Sequence, residues 1–209
     1  MSADGPPRRV RVGPSAGSAA APAASVGVAP SADIVQRARR IRLLTLDVDG
    51  VLTDGRIYVD DHGREFKAYS ALDGQGIKML QRAGLEVAWI TGSNAPSVRH
   101  RAQHVGIVHL VMGAEHKRAP WEALRATLGV AAEQCAHAGD DLPDVPLLAA
   151  SGLAFSVPDA PASVRSHAHW VTRAAGGMGA VREIAEILLA AQGRLAAAES
   201  AHAAPPGGP

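Results

Sequence analysis

Cysteine, net charge and long apolar runs are scarce in this sequence, and each scarcity excludes a class of protein. Cys135 is the single cysteine among 209 residues, which excludes a disulfide framework within the chain and predicts a reducing compartment. The formal net charge is +1, so neither a broad basic field for nucleic acid nor an acidic field for cationic partners is present. No apolar run approaches the roughly 18 residues of a membrane span. We therefore expect a cytoplasmic protein that binds neither nucleic acid nor a membrane.

The two ends of the chain also lack the residues that build a core. Residues 1–30 are rich in Ala, Pro and Gly, and residues 196–209 have a similar composition and end in Pro-Pro-Gly-Gly-Pro. Such segments cannot bury enough apolar surface to offset the entropy of ordering them. The composition predicts a disordered leader over 1–30, one folded domain over 31–195 and a disordered tail over 196–209.

Between these ends, short apolar runs alternate with helical patterns. The runs predict strands at 42–48, 86–90, 108–111, 135–138, 153–157 and 169–172, and the patterns predict helices near 73–83, 95–105, 116–129, 142–151, 160–166 and 179–191. This alternation is typical of a doubly wound, parallel, Rossmann-like α/β sheet. One insertion differs, because 56–59 and 65–69 flank a Gly-containing turn at 60–63 and predict a β-hairpin flap.

Polar residues follow the predicted strands at the points where those strands end. They are Asp47 and Asp49 after the first strand, Thr91, Gly92 and Ser93 after the second, Lys117 beyond the third, and Asp140, Asp141 and Asp144 after the fourth. The carboxyl ends of parallel strands share one edge, where open α/β sheets bind their ligands. We therefore expect a nucleophile, a hydroxyl donor, a cation and a carboxylate cluster to meet at this edge.

The pair Asp47 and Asp49 carries the strongest single signal. Residues two apart in an extended strand point the same way, so the two carboxylates repel unless a divalent cation or a shared proton neutralises them. Oxygen ligands suit Mg²⁺, and Gly50 permits a turn in which backbone N–H groups approach a phosphate. A calcium loop is excluded because Val51 and Tyr58 occupy positions that need oxygen ligands, whereas a plain Asp-x-Asp-Gly turn stays open.

The stretch 47–53, Asp-Val-Asp-Gly-Val-Leu-Thr, resembles motif one of the haloacid dehalogenase superfamily. Thr91, Lys117 and the segment 139–144, Gly-Asp-Asp-x-x-Asp, are similar to its second, third and fourth motifs and occur in the same order. The resemblance implies a phosphatase, a phosphoric monoester hydrolase, that works through an aspartyl-phosphate intermediate and requires Mg²⁺.

The resemblance also assigns roles to individual residues. It implies that Asp47 is the nucleophile, that Asp49 is the general acid and base, and that Thr91 and Lys117 complete the catalytic set. Phosphate or substrate contacts fall to Gly50, Gly92, Ser93 and Asp73. The metal is expected on Asp47, Asp49, Asp140 and Asp141, with Asp144 as a support.

Only about 40 residues separate Asp47 from Thr91, which is too few for a large cap domain. In this respect the chain resembles the cap-less subfamily that includes the 3-deoxy-D-manno-octulosonate 8-phosphate phosphatases. The resemblance implies a small sugar phosphate as substrate and a homotetramer assembled through the 55–69 hairpin. An alternative is an inactive tetramerisation module, related to the C-terminal part of some sialic-acid cytidylyltransferases.

Three positions depart from the pattern of that subfamily. Leu72, Ser93 and Met178 stand where the sugar-acid phosphatases have arginine. Each change removes a guanidinium, the group best suited to bidentate recognition of a carboxylate. The departures predict an intact phosphatase that acts on a less anionic sugar phosphate.

Overall fold

A computed structural model describes residues 29–203 of the chain. The leader predicted over 1–30 therefore lies almost wholly outside the described residues, as do residues 204–209 of the predicted tail. Among the described residues, no helix is both long and apolar enough to cross a membrane.

The centre of the molecule is a six-stranded parallel sheet. Its strands are β1 (Leu43–Leu46), β4 (Glu86–Ile90), β5 (His109–Val111), β6 (Cys135–Ala138), β7 (Leu153–Ser156) and β8 (Trp170–Val171). They lie in the order β5-β4-β1-β6-β7-β8, with every neighbouring pair parallel. The predicted hairpin forms a separate antiparallel pair of β2 (Tyr58–Val59) and β3 (Glu65–Phe66).

Helices cover both faces of the sheet. They are α1 (Ala32–Ala38), α2 (Ala71–Arg82), α3 (Pro96–Val105), α4 (Arg118–Thr127), α5 (Val145–Ala150), α6 (Ala162–Arg165), α7 (Ala180–Ala191) and α8 (Leu195–Ala203). One core cluster joins α1, α2, α3 and α7 to Leu44 and Leu46 of β1. A second cluster joins Trp121 of α4 and Leu147 of α5 to Leu43 of β1. The predicted doubly wound sheet is confirmed.

The central strand β1 shows why its sequence is almost wholly apolar. All four of its residues are buried, because their side chains alternate between the two helical layers. The exception, Thr45, places its hydroxyl 3.1 Å from the carbonyl oxygen of Ala136, so this buried polar group has a partner. Truncating a leucine of this strand to alanine would cost about 2–5 kcal/mol of stability.

Sheet register brings the predicted site residues to one level. Leu46 pairs with Trp89 on β4 and with Ala138 on β6. Asp47 and Gly139, which follow Leu46 and Ala138, therefore leave the sheet side by side, while β4 continues for one more residue to Ile90. The chain runs from β1 outward to β4 and later returns to β6 on the other side, so a crevice opens at this switch point.

Two helices differ from expectation. Helix α1 was not expected; it begins after Ser31, whose Oγ accepts the N–H of Ile34 at 3.4 Å. Helix α8 occupies residues assigned to the disordered tail, so that prediction was wrong for 196–203. Alanine is the strongest helix former, and Leu195 and Ala198 pack against the main core.

The segment between β1 and β4 contains the hairpin and α2 and no further element. The hairpin strands are shorter than expected, because Asp60 Oδ1 accepts the N–H groups of His62 and Arg64, both at 2.9 Å, and so extends the turn.

Candidate active site

The carboxyl ends of β1, β4 and β6 surround a cavity of about 460 Å³. Nine of the predicted site residues line it: Asp47, Asp49, Thr91, Gly92, Ser93, Lys117, Asp140, Asp141 and Asp144. Gly55, Ala114, Glu115 and Pro143 also line it and were not predicted. The expected convergence at one edge of the sheet is therefore present in the fold.

Lys117 lies between two carboxylates on the floor of the cavity. Its Nζ is 2.5 Å from Asp47 Oδ1 and 2.7 Å from Asp144 Oδ1. The three side chains are only 4%, 8% and 1% exposed, so their attraction is weakly screened by water. Lys117 immediately precedes α4, which packs on the face of β1 that carries Leu43, Thr45 and Asp47. This packing explains how a lysine 70 residues away reaches the end of β1.

The pKa values of these groups move in different directions. Burial, with Asp144 nearby, raises the pKa of Asp47 well above its usual range, although Lys117 opposes the rise. Burial would also raise the pKa of Asp144, but the hydrogen bond from His137 and the charge of Lys117 outweigh it and lower the value to about 2. For Lys117, attraction to Asp47 and Asp144 outweighs burial and raises the pKa.

Asp47, Asp140 and Asp144 place carboxylate oxygens within 4.8 Å of one another. One ammonium cannot neutralise three carboxylates, and burial together with Asp144 raises the pKa of Asp140 to about 6. Asp140 Oδ1 is buried and has no hydrogen-bond partner among the described residues. A site built only of oxygen donors, with surplus negative charge and an unsatisfied buried oxygen, fits Mg²⁺.

Gly50 makes room for this cluster. Its φ is +98°, in the region that favours glycine, and a Cβ at this position would lie 2.0 Å from Asp140 Oδ2. No side chain other than hydrogen fits there without displacing Asp140. Gly50, which was predicted to contact phosphate, therefore also lets Asp140 approach the turn after β1.

Asp144 is fully engaged with protein donors. Its Oδ1 accepts from Lys117 and lies 3.1 Å from His137 Nε2, while its Oδ2 accepts the N–H groups of Asp140 and Asp141 at 3.3 and 3.4 Å. This arrangement suits a support of the loop better than a direct metal ligand. Asp47 and Asp140 are the members of the cluster with oxygens to spare.

The neighbouring Asp141 is exposed, and its Oδ1 accepts the N–H of Leu142 at 2.8 Å at the start of a short 3-10 helix. A cap of this kind satisfies a helix N-terminus without any metal. Its role as a metal ligand stays a prediction.

Asp49 lies at the mouth of the cavity and forms an ion pair with Lys67, which follows the second strand of the hairpin. The Lys67 side chain is 10% exposed and that of Asp49 is 38% exposed. Lys67 was not among the predicted site residues. A single lysine between a strand and a helix gives no periodic signal, and only the folded hairpin brings it to Asp49.

The loop after β4 presents hydroxyl groups to the cavity. Thr91 is 1% exposed, and its Oγ1 accepts the N–H of Ser93 at 3.0 Å. Ser93 Oγ in turn accepts the N–H of Ala95 at 3.2 Å. Because both oxygens act as acceptors here, both hydroxyl protons remain available to a bound anion.

Asp73 does not line the cavity, and this corrects the prediction that it contacts substrate. It is 1% exposed, and its carboxylate accepts the N–H groups of Gly179 at 3.3 Å and Arg182 at 2.9 Å. Burial raises its pKa, and the backbone hydrogen bonds from α7 oppose the rise. Asp73 therefore joins α2 to the N-terminus of α7, where a negative charge is favourable.

The glycine-rich segment 175–179 lies against the turn after β1. The N–H of Gly177 donates to the carbonyl of Val51 at 3.0 Å, and a Cβ on Gly176 would lie 1.7 Å from the carbonyl oxygen of Gly50. Of the positions that depart from arginine, Met178 lies within this segment and is 65% exposed, and Leu72 lies beside it and is 58% exposed. Neither lines the cavity, whereas Ser93 does.

His137 of β6 was also missed. It is completely buried and lies between Thr45 and Asp144, and burial lowers its pKa although Asp144 opposes this. A histidine inside an otherwise apolar strand was the available signal, because a buried polar side chain requires a partner.

A family model described as haloacid dehalogenase-like hydrolase matches residues 64–152, a stretch that contains Thr91, Lys117 and Asp140. The chain is 46% identical over 165 residues to the 3-deoxy-D-manno-octulosonate 8-phosphate phosphatase KdsC of Escherichia coli K12. The match covers 79% of this chain and 88% of the relative.

Solved structures agree with these relatives. The phosphatase of the same name from Yersinia pestis has a TM-score of 0.78 and 45% identity, and the match covers 79% of this chain and 89% of that one. The Moraxella catarrhalis phosphatase, solved with a magnesium ion, a phosphate ion and KDO, has a TM-score of 0.79 and 37% identity, covering 81% and 98%. On this evidence the chain belongs to the haloacid dehalogenase-like hydrolases and is a phosphatase of that family, a phosphoric monoester hydrolase.

Proposed function

We propose that this phosphatase hydrolyses a sugar phosphate with the help of Mg²⁺ and through a phosphorylated Asp47. One observation carries the proposal: Lys117 holds Asp47 from one side, while Asp140 presents an unpartnered oxygen from the other. The nucleophile is thus oriented by a fixed cation and lies beside a place for a second one. A carboxylate with only a structural role would not need such surroundings.

In the first half of the reaction, an Asp47 oxygen attacks phosphorus in line with the bond to the sugar oxygen. The new bond joins Asp47 to phosphorus, and the bond from phosphorus to the sugar oxygen breaks. Asp49, in its protonated form, gives its proton to the departing oxygen, so the sugar leaves as an alcohol. Thr91 donates to a phosphoryl oxygen, and Lys117 offsets the negative charge of the transferred group.

In the second half, Asp49 is a carboxylate and takes a proton from water. The oxygen of that water attacks phosphorus, the bond to Asp47 breaks, and inorganic phosphate leaves. The ion pair with Lys67 supports this half, because it holds the side chain of Asp49 at the cavity mouth. Asp47, Asp140 and the main-chain carbonyl of Asp49 would hold Mg²⁺, which would supply positive charge to offset the negative charge of the phosphoryl group.

The substrate is proposed as 3-deoxy-D-manno-octulosonate 8-phosphate. Support comes from relatives that carry this substrate in their name and are 46% identical over most of their length. A second candidate is a less anionic sugar phosphate, favoured by the absence of arginine at Leu72, Ser93 and Met178. The inactive-module alternative is not retained, because the residues that decay first in an inactive copy are all in place around the cavity.

The experiment compares kcat/KM for the octulosonate 8-phosphate with values for a panel of neutral sugar phosphates, in the presence of Mg²⁺. A preference for the octulosonate phosphate supports the first candidate and contradicts the second. Asp47→Asn is the matched variant, and it should abolish phosphate release and leave no acid-stable phosphate on the protein. Hydrolysis by this variant at the wild-type rate would contradict the mechanism.

The homotetramer expected through the 55–69 hairpin belongs to the same proposal, as does a cytoplasmic location. Ile57, Val59 and Phe66 are 76%, 56% and 53% exposed on the hairpin. Such an apolar surface on a short two-stranded element is typical of an interface. Copies joined in this way would place further groups over the cavity.

A further inference from the structure

His137 is a buried histidine that the proposed reaction leaves without a role. It is 0% exposed, and its neighbour across the sheet is Thr45 of β1. Thr45 and Asp47 are two residues apart, so their side chains lie on the same face of β1. His137 therefore lies one layer beneath the nucleophile, within the protein rather than in the cavity.

The hydrogen bonds of the ring define its tautomer. His137 Nε2 is 3.1 Å from Asp144 Oδ1, and a carboxylate only accepts, so Nε2 must carry a proton. In a neutral ring Nδ1 is then the acceptor, and Thr45 Oγ1 lies 2.9 Å from it. The Thr45 hydroxyl also has the Ala136 carbonyl at 3.1 Å, but Nδ1 is nearer, and no other donor to Nδ1 is found among residues 29–203.

Asp144 is the group that this ring holds in place. Its Oδ1 also receives Lys117, and its Oδ2 receives the N–H groups of Asp140 and Asp141. A rotation of this carboxylate would disturb both sets of bonds together. The lysine would lose one of its two partners, and the loop that carries Asp140 would lose its anchor.

We propose that His137 is a positioning residue for catalysis: by donating Nε2–H to Asp144 it fixes that carboxylate, and through it Lys117 and the Asp140 loop. Thr45 in turn fixes the tautomer of His137 by donating to Nδ1. The resulting chain runs from Thr45 through His137 and Asp144 to Lys117 and Asp47. Its function is to set the geometry of the nucleophile without touching substrate.

The first test compares His137→Gln, which keeps an N–H donor, with His137→Leu, which keeps bulk but loses the donor. With an aryl phosphate and saturating Mg²⁺, the Leu variant should lose kcat by about 10- to 100-fold, the usual cost of removing such an outer partner. KM should change by less than about threefold, since His137 does not contact substrate. The Gln variant should recover most of the lost kcat.

Thr45→Val should lower kcat by a smaller factor, because only the tautomer constraint is lost. Ser151→Ala is its matched control, since Ser151 is a buried hydroxyl bonded to backbone carbonyls near the amino-terminal end of β7. This control should keep the wild-type kcat. Equal losses in the Gln and Leu variants, or no loss in either, would overturn the proposal.

The second test does not depend on activity. In protein labelled with ¹⁵N-histidine, the imidazole signals that disappear in His137→Gln belong to His137. They should report a protonated Nε2 and an unprotonated Nδ1 at neutral pH, and a protonated Nδ1 with bare Nε2 would overturn the proposal. The kinetic arm rests on the proposed phosphatase reaction; if every form were inactive, that function would fail, while the spectrum would still decide the role of His137.

Discussion

Lys117 Nζ lies 2.5 Å from Asp47 Oδ1 and 2.7 Å from Asp144 Oδ1, so a single ammonium joins the proposed nucleophile to the residue that anchors the acidic loop. The contact with Asp144 holds Lys117 in place for Asp47, and the contact with Asp47 holds it in place for Asp144. The position of Asp47 therefore depends on residues from β1, from the start of α4 and from the segment after β6, none of which is adjacent in sequence.

Replacing this ammonium should be costly both for catalysis and for stability. Lys117→Met leaves two buried carboxylates without their cation, and we expect the free energy of unfolding to fall by about 3 kcal/mol or more. We expect kcat to fall by about 10²–10³-fold, as when a group that stabilises the transferred charge is removed. Arg118→Gln is the control, because Arg118 is half exposed and pairs with Glu122, and it should change stability by less than about 1 kcal/mol. A Lys117→Met protein with near wild-type kcat would contradict the assigned role.

Asp140 should destabilise the metal-free protein in a pH-dependent way. Its pKa is raised from 3.8 to about 6, so the folded state binds the proton more tightly than the unfolded chain does. Ionisation of Asp140 therefore lowers the free energy of unfolding. This loss of stability is absent at pH values below the unfolded pKa, grows as pH rises toward the folded pKa, and is constant above it. With metal removed, the free energy of unfolding of Asp140→Asn should exceed that of wild type by roughly 2 kcal/mol at neutral pH, and the difference should vanish below about pH 3.

Denaturant unfolding at several pH values, with and without chelator, measures this difference. Adding Mg²⁺ should stabilise the wild type and leave the Asn variant unchanged, since the variant lacks the ligand. If Asp140→Asn were less stable than wild type at neutral pH without metal, burial and neighbouring charges would not destabilise ionised Asp140, and the prediction would be wrong.

Gly176 should not tolerate a methyl group. Its added Cβ would lie 1.7 Å from the Gly50 carbonyl oxygen, a backbone atom that can move only with the turn after β1. We expect Gly176→Ala to lower kcat by about 10²-fold, since a displacement of about 1 Å at the reacting groups has this effect. Gly129→Ala is the control, because the φ of Gly129 is +61°, which strains any side chain, yet no described residue has an atom within 4 Å of its added Cβ. That control should lose about 1 kcal/mol of stability and keep its kcat. Equal kcat values for the two variants would refute the coupling.

Lys67 should affect catalysis by holding the side chain of Asp49. The Lys67→Met variant keeps the length of the side chain but releases the Asp49 carboxylate, and we expect kcat to fall by about tenfold or more because the proton-transfer group is no longer held. Lys78→Met, on α2 and outside the cavity lining, serves as the control and should retain activity. The measurement is kcat for both variants with one substrate. Similar kcat values would show that Lys67 has no role in the site.

The hairpin should determine the oligomeric state. Ile57→Ser combined with Phe66→Ser removes two exposed apolar side chains, and light scattering should report a smaller species than the tetramer proposed for the wild type. Val108→Ser, at a position 83% exposed just before β5, is the control and should leave the mass unchanged. A wild-type protein that is monomeric would contradict the proposed assembly directly.

Much of the fold was predictable because parallel strands buried on both faces must be nearly continuous apolar runs. The run that includes Leu43–Leu46 was recognised for this reason, and the polar residues after it followed from the rule that strand ends share an edge. The site could be predicted to the same extent, since Asp47, Thr91, Lys117 and Asp140 all occupy strand or helix ends.

The failures have a common physical cause, which is that a side chain's partner is set by tertiary contact. Asp73 has the same carboxylate as the site residues, but the N-terminus of α7, more than a hundred residues away, holds it. His137 depended on which residue of β1 it would face across the sheet. Helix α8 formed from a low-complexity stretch because Leu195 and Ala198 found an apolar surface to cover.

The contact between the segment 175–179 and the turn after β1 has a consequence for synthesis of the protein. The proposed nucleophile, Asp47, lies near the start of the folded region, yet the glycines that lie against its turn come near the end. A ribosome will have released β1, β4 and β6 before that segment emerges. A nascent chain can therefore form the strands of the sheet while the turn after β1 lacks its final support, and activity should appear only when the last helices have left the exit tunnel.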